Sequence, residues 1–177
     1  SLLVSYFDDF SIYRITSDAT LELVLGTQAP EICVFLPESP NISESMIQNT
    51  PIKGPTSFIP SVGNSMLYIE RGYQCIREYL PGLGISTLIR GRDTIDEYQD
   101  DIIPLSEYRC NNPTSLVLGK DGRIIFSDSV QRSIWRISKN RSEVERIFKG
   151  QDDFRPSGLA LSDNGILWTY NGFEGQI

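Results

Sequence analysis

The sequence predicts an all-β fold, a segment of a β-propeller made of four-stranded antiparallel blades, and three observations carry that reading. Short runs of β-branched and aromatic residues are bounded by Gly, Asp, Asn and Pro, the composition of strands separated by turns. Asp121-Gly122 and Asn164-Gly165 supply the positive-φ residues that tight hairpins require. The same order of features recurs along the chain, headed by Pro55, Pro113 and Pro156, and the 43 residues from Pro113 to Pro156 match a blade period. A β-sandwich also has short strands and regular turns, but it does not require one motif order throughout.

Taken in order, residues 1–26 form a partial blade with strands two to four at 2–6, 11–15 and 21–25, closed by Gly26. Residues 27–54 are an inserted loop with four prolines, a polar middle and room for a short helix over Ser43 to Gln48. Residues 55–91 are a blade with strands at 55–59, 66–70, 75–79 and 86–89. Residues 92–112 are a second, acidic inserted loop. Residues 113–150 are the clearest blade, with strands at 114–118, 123–127, 133–137 and 144–148. Residues 151–177 repeat its first half. Two blades are therefore complete and two partial, all within one propeller domain. Because closure of the ring is what protects blade edges, the chain reads as a fragment of a larger ring. A proline at each first-strand entrance suits a position that donates no ladder hydrogen bond.

Composition narrows the function classes. The net charge of −7 disfavours binding to phosphate backbones. The basic residues of 132–149 are interleaved with Glu143 and Glu145 and read as a solvated strand face. No apolar run is long enough to span a bilayer, so no membrane insertion by this segment is expected. Cys33, Cys75 and Cys110 lack metal-ligand or redox spacing and read as buried free thiols. Asn41-Ile42-Ser43 and Asn140-Arg141-Ser142 match a glycosylation pattern at chance frequency, so they leave the compartment open.

Among candidate functional groups, Asp93, Asp96, Glu97, Asp100 and Asp101 cluster in the second insert. Asp96, Asp100 and Asp101 are the candidate metal ligands, because calcium takes several carboxylate oxygens close together. The spacing lacks the EF-hand order, and a solvated acidic loop is the competing reading. Glu70 and Asp128 end equivalent second strands; they either converge on a cation or cap backbone N–H groups. Tyr13, Tyr68, Trp135, Trp168 and Tyr170 are expected in the core. The chain contains no His, which excludes a His base, a His triad or His metal ligands within it.

The repeat Pro113 to Ile137 and its partial copy Pro156 to Tyr170 resemble NHL-type repeats and their relatives in the six-bladed propeller superfamily. The segment Leu159-Ala160-Leu161-Ser162-Asp163-Asn164-Gly165-Ile166-Leu167-Trp168 also resembles gluconolactonase-like and strictosidine-synthase-like propellers. Two features depart from the pattern. Tyr6 and Tyr170 are read in the place of the second-strand acid, and Arg77 replaces the aromatic seen as Tyr13 and Trp135. With repeats this divergent, long loops and no His, the expected function is a non-enzymatic scaffold for protein–protein interaction. Its partners would be another protein or the missing blades of the same one, and no cofactor is expected. The alternative that the resemblance implies is a calcium-dependent, gluconolactonase-like hydrolase or lyase, with its site completed outside this segment.

Overall fold

The computed structural model describes residues 2–6, 11–26, 41–43, 52–61, 65–92, 97–151 and 153–172. Strands β1 (Leu2–Tyr6), β2 (Ser11–Ile15) and β3 (Leu21–Gly26) form an antiparallel three-stranded sheet. After the short β4 (Ile42–Ser43), strands β5 (Pro55–Pro60), β6 (Met66–Glu70), β7 (Cys75–Leu80) and β8 (Gly84–Gly91) make a complete antiparallel meander. Strands β9 (Ile102–Pro104) and β10 (Arg109–Cys110) follow. The second complete meander is β11 (Pro113–Leu118), β12 (Ile124–Asp128), β13 (Ser133–Ile137) and β14 (Glu143–Lys149). Strands β15 (Pro156–Leu161) and β16 (Leu167–Asn171) pair as a hairpin. The described chain is all-β, with a 3-10 turn at Arg71–Tyr73 and no α-helix.

Turn chemistry sets the hairpins. Gly122 and Gly165 have φ of 78° and 87°, a region that L side chains avoid. Each turn closes in the same way, with Gly119 N–H on Arg123 O and Gly122 N–H on Gly119 O, then Ser162 on Ile166 and Gly165 on Ser162. The Asp121 carboxylate accepts the Arg123 N–H at 3.0 Å, an Asx turn.

The motif's small residues stitch one repeat to the next. Strand β11 lies between β5 and β15. Ser57 Oγ accepts the Leu116 N–H at 2.7 Å, and Ser115 Oγ accepts the Leu159 N–H at 3.0 Å. Both serines lie at or beside the residue where the register of the first strand slips, Ser57 in β5 and Thr114 in β11. The third equivalent position is Gly158, which leaves room for the Tyr170 ring.

The inserts add strands to the blades. β9 pairs antiparallel with β14, β10 pairs parallel with β8, and β4 pairs with the other end of β8, so the outermost edges of both meanders are covered. The expected helix over Ser43 to Gln48 falls outside the described residues except at Ser43, which ends β4.

The main core runs between the two meanders, through Leu67, Ile69, Ile76 and Ile89 on one side and Phe126, Trp135, Ile137 and Val144 on the other. Tyr98 and Tyr108 from the second insert stack at 5.0 Å, and the Tyr108 ring lies 4.9 Å from Trp135. Such pairs contribute about 0.5–1.5 kcal/mol beyond their burial. Cys75 and Cys110 are buried and form no disulfide, and Cys33 lies outside the described residues. Tyr13, Tyr68 and Trp135 are buried, as expected, but Trp168 and Tyr170 are 61% and 50% exposed. Periodicity gave all five the same pattern; the difference is that β16 has no described third strand alongside it.

Candidate functional site

The second strands end on a common device. Pro55 pairs with Glu70, Pro113 with Asp128 and Pro156 with Asn171, so the last residue of each second strand lies opposite the motif proline. Asn171, rather than Tyr170, therefore occupies the acid position of the last repeat. All three side chains accept backbone N–H groups from the segment entering the first strand. Asp128 accepts from Asn111 at 2.7 Å, Asn112 at 3.1 Å and Gln131 at 3.2 Å. Glu70 accepts from Lys53 at 2.6 Å, and Asn171 from Arg155 at 3.0 Å. The acids are capping groups, and they hold the proline-bearing segments in place.

Burial pushes both carboxyls up. Desolvation raises Glu70 to about 7 against the pull of the Arg77 guanidinium and the Lys53 N–H. Asp128 is raised as well by burial, opposed by its backbone donors. Arg77 lies 3.3 Å from Glu70 with both side chains 1% exposed, and its guanidinium also donates to Thr87. The departure of Arg77 from the aromatic pattern thus places a cation beside the buried acid.

Above the caps, the segments they hold form a cavity of about 440 Å³. Its wall takes equivalent positions from three repeats. Asn112 and Arg155 precede the motif proline, and Thr56, Thr114 and Ser157 follow it. Arg71, Ser129 and Gly172 follow the capping residue, and Tyr170 completes the lining. Hydrogen bonds fix the hydroxyls: Thr114 and Ser127 bond to each other at 2.8 Å, each reaches Ser157 O, and Asn112 Nδ2 donates to Ser129 Oγ at 2.7 Å. Sequence reasoning registered these small residues only as strand entrances. The available signal was their recurrence on either side of each proline.

The described lining residues offer guanidinium, amide, hydroxyl and phenol groups, and none of them is a carboxylate. A calcium site needs several anionic or carbonyl oxygens on one centre, and this donor set does not fit one. Two of the three sequence-derived metal candidates fall on described residues. Asp101 pairs with Arg146 at 3.2 Å and is 77% exposed, while the backbone carbonyl of Asp100 accepts from Arg146 at 2.6 Å. Asp96 lies outside the described residues. Among the described residues no three His, Cys, Asp or Glu side chains are placed to hold a metal ion. Glu97 instead meets the basic stretch: it binds Arg132, just before β13, and lies 3.3 Å from Lys149 at the end of β14. Ion pairs with Glu97 and Asp101 thus engage Arg132, Arg146 and Lys149 of the stretch read from sequence as a solvated face.

No protein-family profile matches the chain. It is 25% identical over 109 residues to a gluconolactonase of Zymomonas mobilis, covering 60% of this chain and 29% of that protein. Its fold superposes on a Xanthomonas campestris gluconolactonase with TM-score 0.66 at 18% identity, over 99% of this chain and 51% of that one. It also superposes on virginiamycin B lyase of Staphylococcus aureus with TM-score 0.60 at 13% identity, over 97% of this chain and 45% of that one. The chain thus spans about half the length of these structures and less than a third of the sequence relative. The fold is that of a gluconolactonase-like and virginiamycin B lyase-like β-propeller. These comparisons overturn the expected non-enzymatic interaction scaffold, because the proteins that share the fold are named as enzymes. The absence of His misled that expectation: it removes one kind of base from this segment and bears on no other chemistry.

Proposed function

We propose that this chain is the part of a propeller enzyme that binds the substrate, in a hydrolase or lyase of the gluconolactonase-like class that opens a lactone ring. The observation that carries the reading is the cavity assembled from equivalent positions of three repeats, in a chain whose sequence relative is a gluconolactonase. In this reading residues 1–26, 55–91, 113–150 and 151–177 are NHL-like blades of a six-bladed ring. The rest of the ring completes the site.

The described lining polarises and orients. Guanidinium and hydroxyl donors directed at a lactone carbonyl stabilise the charge that develops on its oxygen when water adds. With neither His nor carboxylate among the described lining residues, the base that activates water comes from outside that set. The described lining residues do not by themselves make a calcium site. The test is hydrolysis of glucono-δ-lactone by the full-length native protein, followed as proton release. Release well above the spontaneous rate supports the reading, and release at the spontaneous rate removes it.

A further inference from the structure

We propose that Asn140 is an N-glycosylation site, its side-chain amide carrying an oligosaccharide at the end of the blade opposite the cavity. The proposal is independent of the lactone reading.

The turn around Asn140 carries the argument. A match to the three-residue pattern arises by chance, and what selects this one is the structure built on it. Asn140, Arg141 and Ser142 lie in the turn that joins β13 to β14, with Asn140 and Ser142 exposed. The Ser142 hydroxyl donates to Asn140 Oδ1 at 2.8 Å and the Ser142 N–H donates to it at 3.3 Å. This Asx turn folds the motif's hydroxyl back onto the motif's amide. Ser138 Oγ also lies 2.8 Å from the same oxygen. The contacts therefore gather on Oδ1 and leave Nδ2, the atom that takes the sugar, with no acceptor among the described residues. An amide buried or bonded through Nδ2 loses those contacts when a glycan is added; Asn140 loses none. The backbone bonds of the turn, Ser138 N–H to Glu143 O and Arg141 N–H to Ser138 O, are equally local. The turn can thus form from residues 138–143 alone, before the blades have packed.

Its place in the fold suits a bulky surface group. Strand β12 ends at the cavity with Asp128, and Ser133 at the start of β13 pairs with it. β13 then runs away from the cavity, so the turn after Ile137 lies at the far end of the blade. Arg141 adopts a left-handed φ of 56° and binds Glu78 of the preceding meander at 2.6 Å, which anchors the motif's middle residue. The second match, Asn41-Ile42-Ser43, is arranged differently. Its last two residues pair with Ile85 and Gly84 along β8 instead of folding back on the asparagine.

The donor is a polyprenyl-diphosphate-linked oligosaccharide, brought by a transferase of the secretory route. The Nδ2 electron pair forms a bond to the sugar's anomeric carbon as that carbon's bond to the diphosphate oxygen breaks. The diphosphate leaves with that electron pair, and the amide nitrogen gives up one proton to a base of the transferase. Nothing is oxidised or reduced.

The test is mass spectrometry of the full-length native protein, digested and treated with peptide N-glycosidase in heavy-oxygen water. The glycosidase turns a glycan-bearing asparagine into an aspartate that keeps the heavy isotope. The peptide spanning residue 140 is expected to carry the label; an unmodified, unlabelled Asn140 overturns the proposal. In protein secreted from a eukaryotic cell line, Asn140→Gln and Ser142→Ala should each remove the glycan's mass shift, and Ser142→Thr should keep it. Should Asn140→Gln fail to fold, the contrast between Ser142→Ala and Ser142→Thr decides. A mass shift that survives Asn140→Gln and disappears in Asn41→Gln also overturns the proposal.

Discussion

The two complete meanders place different chemistry at one pair of positions. In the repeat headed by Pro113, the capping acid Asp128 is held by three backbone N–H groups, and the third strand presents Trp135, packed against Tyr108. In the repeat headed by Pro55, the capping acid Glu70 has one backbone donor and a buried cation, Arg77, at the aromatic's position. The difference teaches that the repeat conserves a task, anchoring the segment that enters the first strand, and lets the neighbouring chemistry vary. A side chain one methylene longer accepts fewer backbone donors and takes a charged partner instead.

Removing that partner should produce the largest effect. Arg77→Met leaves Glu70 buried without its cation and is expected to cost about 3–5 kcal/mol at pH 8, measured by urea unfolding. The double variant Glu70→Gln with Arg77→Met should regain most of that loss. A double variant as unstable as the single one would show that Arg77 acts through packing rather than charge. On the other side of the comparison, Asp128→Ala strands three backbone N–H groups, two of them buried, and is expected to cost about 2–3 kcal/mol.

The pH dependence follows from Glu70. Its carboxyl titrates near 4.5 when unfolded and near 7 when folded, so the folded state holds the proton through that interval. Its contribution to stability is complete below about pH 4.5, declines as pH rises, and is gone above about 7. The decline should be about 2 kcal/mol and should disappear in Glu70→Gln, read as the difference between the two proteins' unfolding free energies from pH 5 to 8. The raised Asp128 slopes the same way and cancels in that difference. The smallest effect belongs to Asn171→Ala, which removes one acceptor from a half-buried N–H of Arg155. About 1 kcal/mol is expected.

Much of the fold was legible because its signals are local. Asp121-Gly122, Asn164-Gly165 and the prolines mark turns and strand entrances without any long-range information. The strands of the second insert were illegible because Ile102–Pro104 and Arg109–Cys110 are short and acquire their state from the edges of β14 and β8. The exposed Trp168 has the same strand pattern as the buried Trp135, and only the neighbouring strands distinguish them. The site was half legible. The residues flanking each proline were noticed as a motif, but their convergence on one cavity depends on how β5, β11 and β15 sit side by side. The acids drew attention because carboxylates usually do chemistry, whereas here Asp128 and Glu70 cap the segments that carry the site.

In the proposed reading these flanking positions, rather than the acidic insert, hold the substrate. It is tested most directly by glucono-δ-lactone hydrolysis in two variants of the full-length protein, Arg155→Gln in the cavity and Asp101→Asn in the insert. The account expects kcat/KM to fall about tenfold or more in Arg155→Gln and to stay unchanged in Asp101→Asn. Activity lost with Asp101→Asn and retained with Arg155→Gln would contradict it.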